Sequence, residues 1–195
     1  MNWKSLLVVG LIGYGAYHHY QIRPVIHGAG EIAPNEPTQT STNAAEVQLN
    51  GFTLTPLANY SIKARVLSRE DYSLGIEAEL SPTDLAVGWG PMSDEVVLNK
   101  IDISQGHRFF YWHVDEFPIP QHEIEIHAAN MHIIPANDTV KRQLSKVRTG
   151  QLVSMNGQLI EAKRTDGWHW RSSLSREDTG NGSCELMYVT ELSAN

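Results

Sequence analysis

A single cysteine, Cys184, occurs in 195 residues, so no internal disulfide can form and no cysteine-based zinc site has the ligands it needs. No G-x-S-x-G elbow is present, which removes the commonest signature of a serine hydrolase. The chain has no excess of basic residues: 15 Lys and Arg stand against 22 Asp and Glu, a net charge of −7. Wholesale nucleic-acid binding, which depends on neutralising phosphates, is therefore not expected. No motif calls for a cofactor, and none is expected. Asp178-Thr179-Gly180 occurs once, after the polar Ser175-Arg176-Glu177 and with 15 residues to follow. An aspartic protease sets that tripeptide at the end of an apolar strand and needs a second carboxylate, so a turn is the expected role here.

What charge there is lies unevenly. Residues 51–140 hold 5 basic and 13 acidic side chains, and residues 141–176 hold 8 basic and 2 acidic. The nine histidines form no metal spacing. His122, His127 and His132 are five apart, which in a strand sends neighbours to opposite faces. No metal ligand is assigned.

Long apolar runs are also scarce. The one candidate is Leu6–Tyr17, a stretch of 12 residues that is extended to 20 by counting from Trp3 to Ile22. Twenty helical residues reach about 30 Å, a bilayer's hydrocarbon thickness. Trp3, Tyr17 and Tyr20 would then lie at the interfaces. The residues after Tyr17 make a poor signal-peptidase site. Residues 1–23 are read as a retained anchor, with a cleaved signal as the alternative. Residues 24–62 contain no Lys or Arg, as expected of a translocated flank. The expected location is thus the inner (cytoplasmic) membrane, single-pass, with the domain outside. Residues 24–50, rich in Pro, Thr, Asn and Ala, read as a flexible stalk. The globular domain is expected over 51–195.

Within the domain, "YSIKARVLSR" alternates, with Tyr60, Ile62, Ala64 and Val66 on one face. "EIEIH" (123–127) alternates in the same way and reads as a strand. "RFFYWHV" offers aromatics on both faces. "NDTVKRQLSKVRTG" reads as a helix capped by Asn137 or Asp138, with Val140, Leu144 and Val147 as its apolar stripe and Gly150 as its stop. "QLVSMNGQLIEAKR" reads as a strand bulged at Gly157. Asp166-Gly167 marks a hairpin turn, and "CELMYVTEL" closes the chain as a strand. The expected fold is mainly β with one inserted helix (α+β). It is a small, partly open, OB-like barrel preceded by a transmembrane helix.

Three segments, "DLAVGWGPMSD" (84–94), "NMHIIPA" (130–136) and "DGWHWRSSLSREDTGNGSCE" (166–185), together resemble a family of uncharacterised bacterial proteins over about residues 72–185. The resemblance implies a bacterial protein and supplies no activity, ligand or catalytic residue.

The candidate binding residues fall in four groups. Trp89, Met92 and Asp94 sit in a glycine-bracketed loop that either plugs the core or presents an anchor to a partner, and plugging is the favoured role. Phe109, Tyr111 and Trp112 come from the two-faced aromatic strand. Lys141, Arg142, Lys146 and Arg148 lie off the apolar stripe of the helix, where an acidic partner or anionic headgroups could dock. Trp168 and Trp170 could act as stacking platforms. The leading expectation is a membrane-anchored extracytoplasmic accessory module acting by contact with an unidentified protein or with itself, without catalysis. The second is a barrel that binds an oligosaccharide or peptide, and a hydrolase is third.

Overall fold

The computed structural model describes residues 5–10, 13, 15, 23–175 and 183–195. Residues 5–10 are helical, with Leu6, Leu7, Val8 and Val9 more than half exposed. Among the described residues no helix is long and apolar enough to cross a membrane, so the expected transmembrane helix has no support from the structure. The Asp178-Thr179-Gly180 turn lies outside the described residues.

The protein is mainly β. Its elements in chain order are β1 (Thr38–Thr40), β2 (Val47–Leu49), β3 (Phe52–Asp71), α1 (Ile76–Leu80), β4 (Thr83–Gly88), a 3-10 turn (Gly90–Ser93) and α2 (Glu95–Leu98). There follow β5 (Asp102–Gly106), β6 (Phe109–His113), α3 (Gln121–Ile126), β7 (Ala128–Pro135), α4 (Asp138–Leu144), β8 (Leu152–Lys163), β9 (His169–Arg171) and β10 (Glu185–Ala194). Strand pairings run β3-β4-β7-β10-β8 and return to β3, a ring of five strands. All are antiparallel except β7 with β10.

The ring closes because β3 is 20 residues long and serves two neighbours. Its first part pairs with β8, its last part with β4, and Arg65 faces Leu152 on one side and Gly88 on the other. Register shifts beside Leu57 and Leu67 let the strand bend.

Alternation then sorts the side chains. Ile62, Ala64, Leu85, Val87, Met131, Ile133, Met155, Leu159, Met187 and Val189 fill the interior. Helix α4 adds Val140 and Leu144 to that cluster, followed by Val147, with the Asn137 side chain accepting from Val140 N–H as its N-cap. Buried aliphatics of this size each contribute roughly 1.5–3 kcal/mol. The opposite faces are overlaid by two satellite clusters, one built on Phe52, Leu54 and Ile134, the other on Leu67, Met92 and Ile124.

Three expectations need correction. Residues 24–50 do not behave as a free stalk. Strand β1 pairs with β3, and β2 forms a hairpin with β3 through Asn50-Gly51, both at positive φ. Asn-Gly is a strong hairpin signal, and a domain boundary at Gly51 would divide it. Residues 25–36 are strapped down by polar contacts. Val25 N–H donates to Thr149 O (2.9 Å), His27 N–H to Glu95 (2.9 Å), Gly30 N–H to Asp94 (3.0 Å) and Ala33 N–H to Ser93 Oγ (3.1 Å). Three of these four backbone donors reach side-chain acceptors and one a backbone carbonyl, so a scarcity of apolar residues is no bar to order.

The second correction is "EIEIH", which is helix α3 rather than a strand. Pro120 stands at its start, Gln121 donates to Glu125 one turn on, and Ile124 alone is fully buried. Five alternating residues are too few to separate the two periods. The third is the bulge at Gly157. The extra residue is Thr190 on β10, while a Cβ at Gly157 would stand 2.0 Å from Tyr188 O. That glycine is required by close approach of the neighbouring strand.

Candidate functional site

Trp89 and Met92 are fully buried, so they plug the core and present nothing to a partner. Trp89 Nε1–H donates to Glu36 of the strap (2.7 Å), whose other oxygen lies 3.1 Å from His127 Nε2. The flanking glycines make this possible. A Cβ on Gly88 would meet Met92 O at 2.3 Å, and one on Gly90 would meet the His127 ring at 2.8 Å. Asp94 caps α2 by accepting from Val96 N–H, and it also receives Gly30 N–H.

The two-faced aromatic strand is β6. Phe110 and Trp112 pack on the Met92 cluster, with Trp112 edge-on to Phe117. Tyr111 is half exposed, and Phe109 turns into a cleft. Lys141, Arg142 and Lys146 are exposed and Arg148 is half-buried, and none of the four is in an ion pair among the described residues. They do not reach the cleft. Trp168 packs edge-on to Phe52 in the satellite core, whereas Trp170 walls the cleft.

That cleft, ≈ 270 Å³, lies outside the ring and is lined by Glu77, Arg108, Phe109, His132, Trp170, Arg171 and Cys184. Behind it stands a buried polar group. Asp84 on β4 and His132 on β7 are cross-strand partners, on the faces opposite Leu85 and Met131. Asp84 is 0% exposed and His132 2%. His132 Nδ1 lies 2.9 Å from Asp84 Oδ1, within ion-pair distance but out of line for a hydrogen bond. Asp84 Oδ2 is buried with no hydrogen-bond partner among the described residues.

Arg108 completes the group. It sits in the two-residue turn between β5 and β6, and both turn residues, His107 and Arg108, have positive φ. Such turns favour Asn-Gly, so two ordinary side chains here carry strain of about 1–2 kcal/mol each. The conformation brings Arg108 Nη1–H to Asp84 Oδ1 (2.7 Å) and to Ser81 O (2.9 Å), with the guanidinium 3.8 Å over the Tyr72 ring. The Arg108 backbone N–H donates to the Tyr72 hydroxyl (3.0 Å). Burial pushes the Tyr72 phenol up from 10.0; the Arg108 N–H draws it back, and the negative charge of Asp84 adds to the rise.

The Trp170 ring centre lies 4.5 Å from that of His132 and 5.6 Å from the Arg108 guanidinium. The cleft floor is pinned by Asn130, which donates to Arg108 O (2.8 Å) and receives from Gln105 (2.8 Å), while Cys184 Sγ lies 3.7 Å from the same carbonyl. The described residues hold no group of three or more His, Cys, Asp or Glu placed to hold a metal.

Asp84, Asn130, His132 and Arg108 were not among the candidates named from the sequence. The available signal was a polar residue interrupting an apolar strand, as Asp84 does before "LAVGW" and His132 before "IIPA". Segments 84–94, 130–136 and 166–185 each send at least one side chain to the site: Asp84, then Asn130 and His132, then Trp170, Arg171 and Cys184. No family model, curated protein or solved structure matches the chain.

Proposed function

We propose that the protein is a membrane-held, extracytoplasmic binding module of OB-like barrel type that receives the end of an oligosaccharide in the Trp170–His132–Arg108 cleft, without catalysis. The observation that carries this reading is the position of the cleft. OB barrels bind on the face of their second and third strands, between the first-to-second and fourth-to-fifth connections. In this ring the second and third strands are β4 and β7, bearing Asp84 and His132. Glu77 comes from the β3–β4 connection, and Trp170, Arg171 and Cys184 from the β8–β10 connection. Helix α4 falls between the third and fourth ring strands, and the third and fifth run parallel.

Aromatic walls with a few convergent polar groups are the usual makeup of a ligand site. The volume falls just below the ~300–1,000 Å³ of common small-molecule pockets, which suits one ring at a chain end. Protein contact through Trp89 and Met92 loses its footing because both are buried. The apolar run 6–17 is the proposed tether.

The test is a glycan array probed with the full chain in neutral-lipid nanodiscs, followed by calorimetry on the glycans retained. Trp170→Ala is expected to weaken binding by at least about fivefold, given roughly 1–3 kcal/mol for a stacked ring. No saccharide retained, or affinity indifferent to Trp170→Ala, overturns the reading.

A further inference from the structure

We infer that the sugar entering the cleft carries a carboxylate, which Arg108 and Arg171 receive while its ring lies against Trp170. The inference rests on the saccharide reading above and adds the charge of the ligand. Arg108 is the central observation. Its Nη1 is committed to Asp84 and Ser81, while Nε and Nη2 have no hydrogen-bond partner among the described residues. Its plane is fixed by stacking on Tyr72, and the residue lines the cleft. A guanidinium held flat with unused donors is preorganised for an oxyanion, and charge-assisted bonds of this kind are about twice as strong as neutral ones.

His132 borders the same cleft. With Nδ1 turned to Asp84, Nε2 is the ring nitrogen left to accept from a sugar hydroxyl. Arg171 stands at the rim, 52% exposed and only loosely paired with Glu161 at 3.6 Å. The facing acid is Glu77; Asp84 lies behind the cleft wall and is engaged by Arg108. Two guanidiniums therefore converge on one small cleft beside a flat indole. The strained turn that delivers Arg108 fits the same purpose, since backbone strain of this kind gathers at ligand clamps.

Calorimetry of the full chain in neutral-lipid nanodiscs, with tetragalacturonate and its methyl ester as probes, tests this. The two share one sugar chain and differ at the carboxyl, ionised in one and capped by a methyl group in the other. The acid is expected to bind at least about tenfold tighter than the ester, with an advantage that shrinks as salt rises. Arg171→Gln, a rim substitution with little bearing on folding, and Arg108→Lys should each bring the acid-to-ester ratio towards one. Equal affinities, or a ratio unmoved by both variants, overturn the carboxylate while leaving saccharide binding standing. If neither probe nor any arrayed glycan binds, the saccharide reading itself has failed. A tetraglutamate peptide bound about tenfold tighter than the sugar acid would overturn the sugar and identify an acidic peptide as the ligand.

Discussion

The Asp84–Arg108 pair gives the sharpest test of how the cleft is held. Asp84 is completely buried, and among the described residues Arg108 is its one charged hydrogen-bond donor, at 2.7 Å. Removing one partner of such a pair leaves an uncompensated charge, a loss of about 3–5 kcal/mol. The Arg108 side chain is 17% exposed, so water can follow it in, and we expect Arg108→Ala to fall at the low end, about 3 kcal/mol. Alanine keeps the Cβ and hence the strained backbone at φ 70, so that strain cancels between parent and variant. With a urea m-value of ~2 kcal/mol/M, the midpoint should move down by about 1.5 M.

Asp84→Asn should cost less, about 1–3 kcal/mol, because the arginine left behind can reach solvent through the cleft. The double variant should then be more stable than the sum of the singles implies, by at least about 1 kcal/mol. Urea titration followed by tryptophan fluorescence reads all four proteins. An Arg108→Ala cost below about 1 kcal/mol, or additivity within ~0.5 kcal/mol, would refute the claim that this pair supports the site.

Gly157→Ala should destabilise by about 3 kcal/mol through overpacking against Tyr188 O, while Gly28→Ala, with open space around it, stays within ~0.5 kcal/mol in the same titration. Asn137→Ala removes the cap of α4 and should cost about 1 kcal/mol, seen as a lower thermal midpoint. Burial alone would raise the Glu95 carboxyl, but the His27 N–H and the Arg65 guanidinium outweigh it and hold the group below 4.5. A depressed carboxyl stabilises the folded form fully above its unfolded value and loses that stabilisation as pH falls through the folded value. The strap's grip at His27 should therefore weaken from about pH 4.5 downward, read as lower amide protection factors at residues 25–33 once the slower intrinsic exchange at acid pH is divided out. Glu95→Gln should show that lower protection already at neutral pH, and protection factors unchanged by both pH and the variant would refute the latch.

Short-range rules determined much of this protein. Alternation over residues 60–66 fixed the buried face of β3, and Val140 and Leu144 with the asparagine cap fixed α4 and the side it buries, although the helix ends at Leu144 and not, as expected, at Gly150. Trp89 is buried as a plug, and its flanking glycines let the backbone on either side close onto Met92 and His127. The same rules misread "EIEIH", where five residues satisfy a strand and Pro120 with Ile124 settles a helix.

Only the tertiary structure decided two larger matters. One is the strap at residues 25–36, whose order comes from carboxylates and a hydroxyl about 60 to 68 positions away, a contact no local pattern encodes. The other is the cleft, which unites Glu77, Arg108, His132, Trp170 and Cys184 across more than 100 residues of chain. An aspartate in an apolar strand looks like a lapse until the neighbouring strand brings a histidine alongside and a strained turn brings an arginine. Strand pairing is set by long-range register, so the company that a buried charge keeps is fixed only when the ring closes.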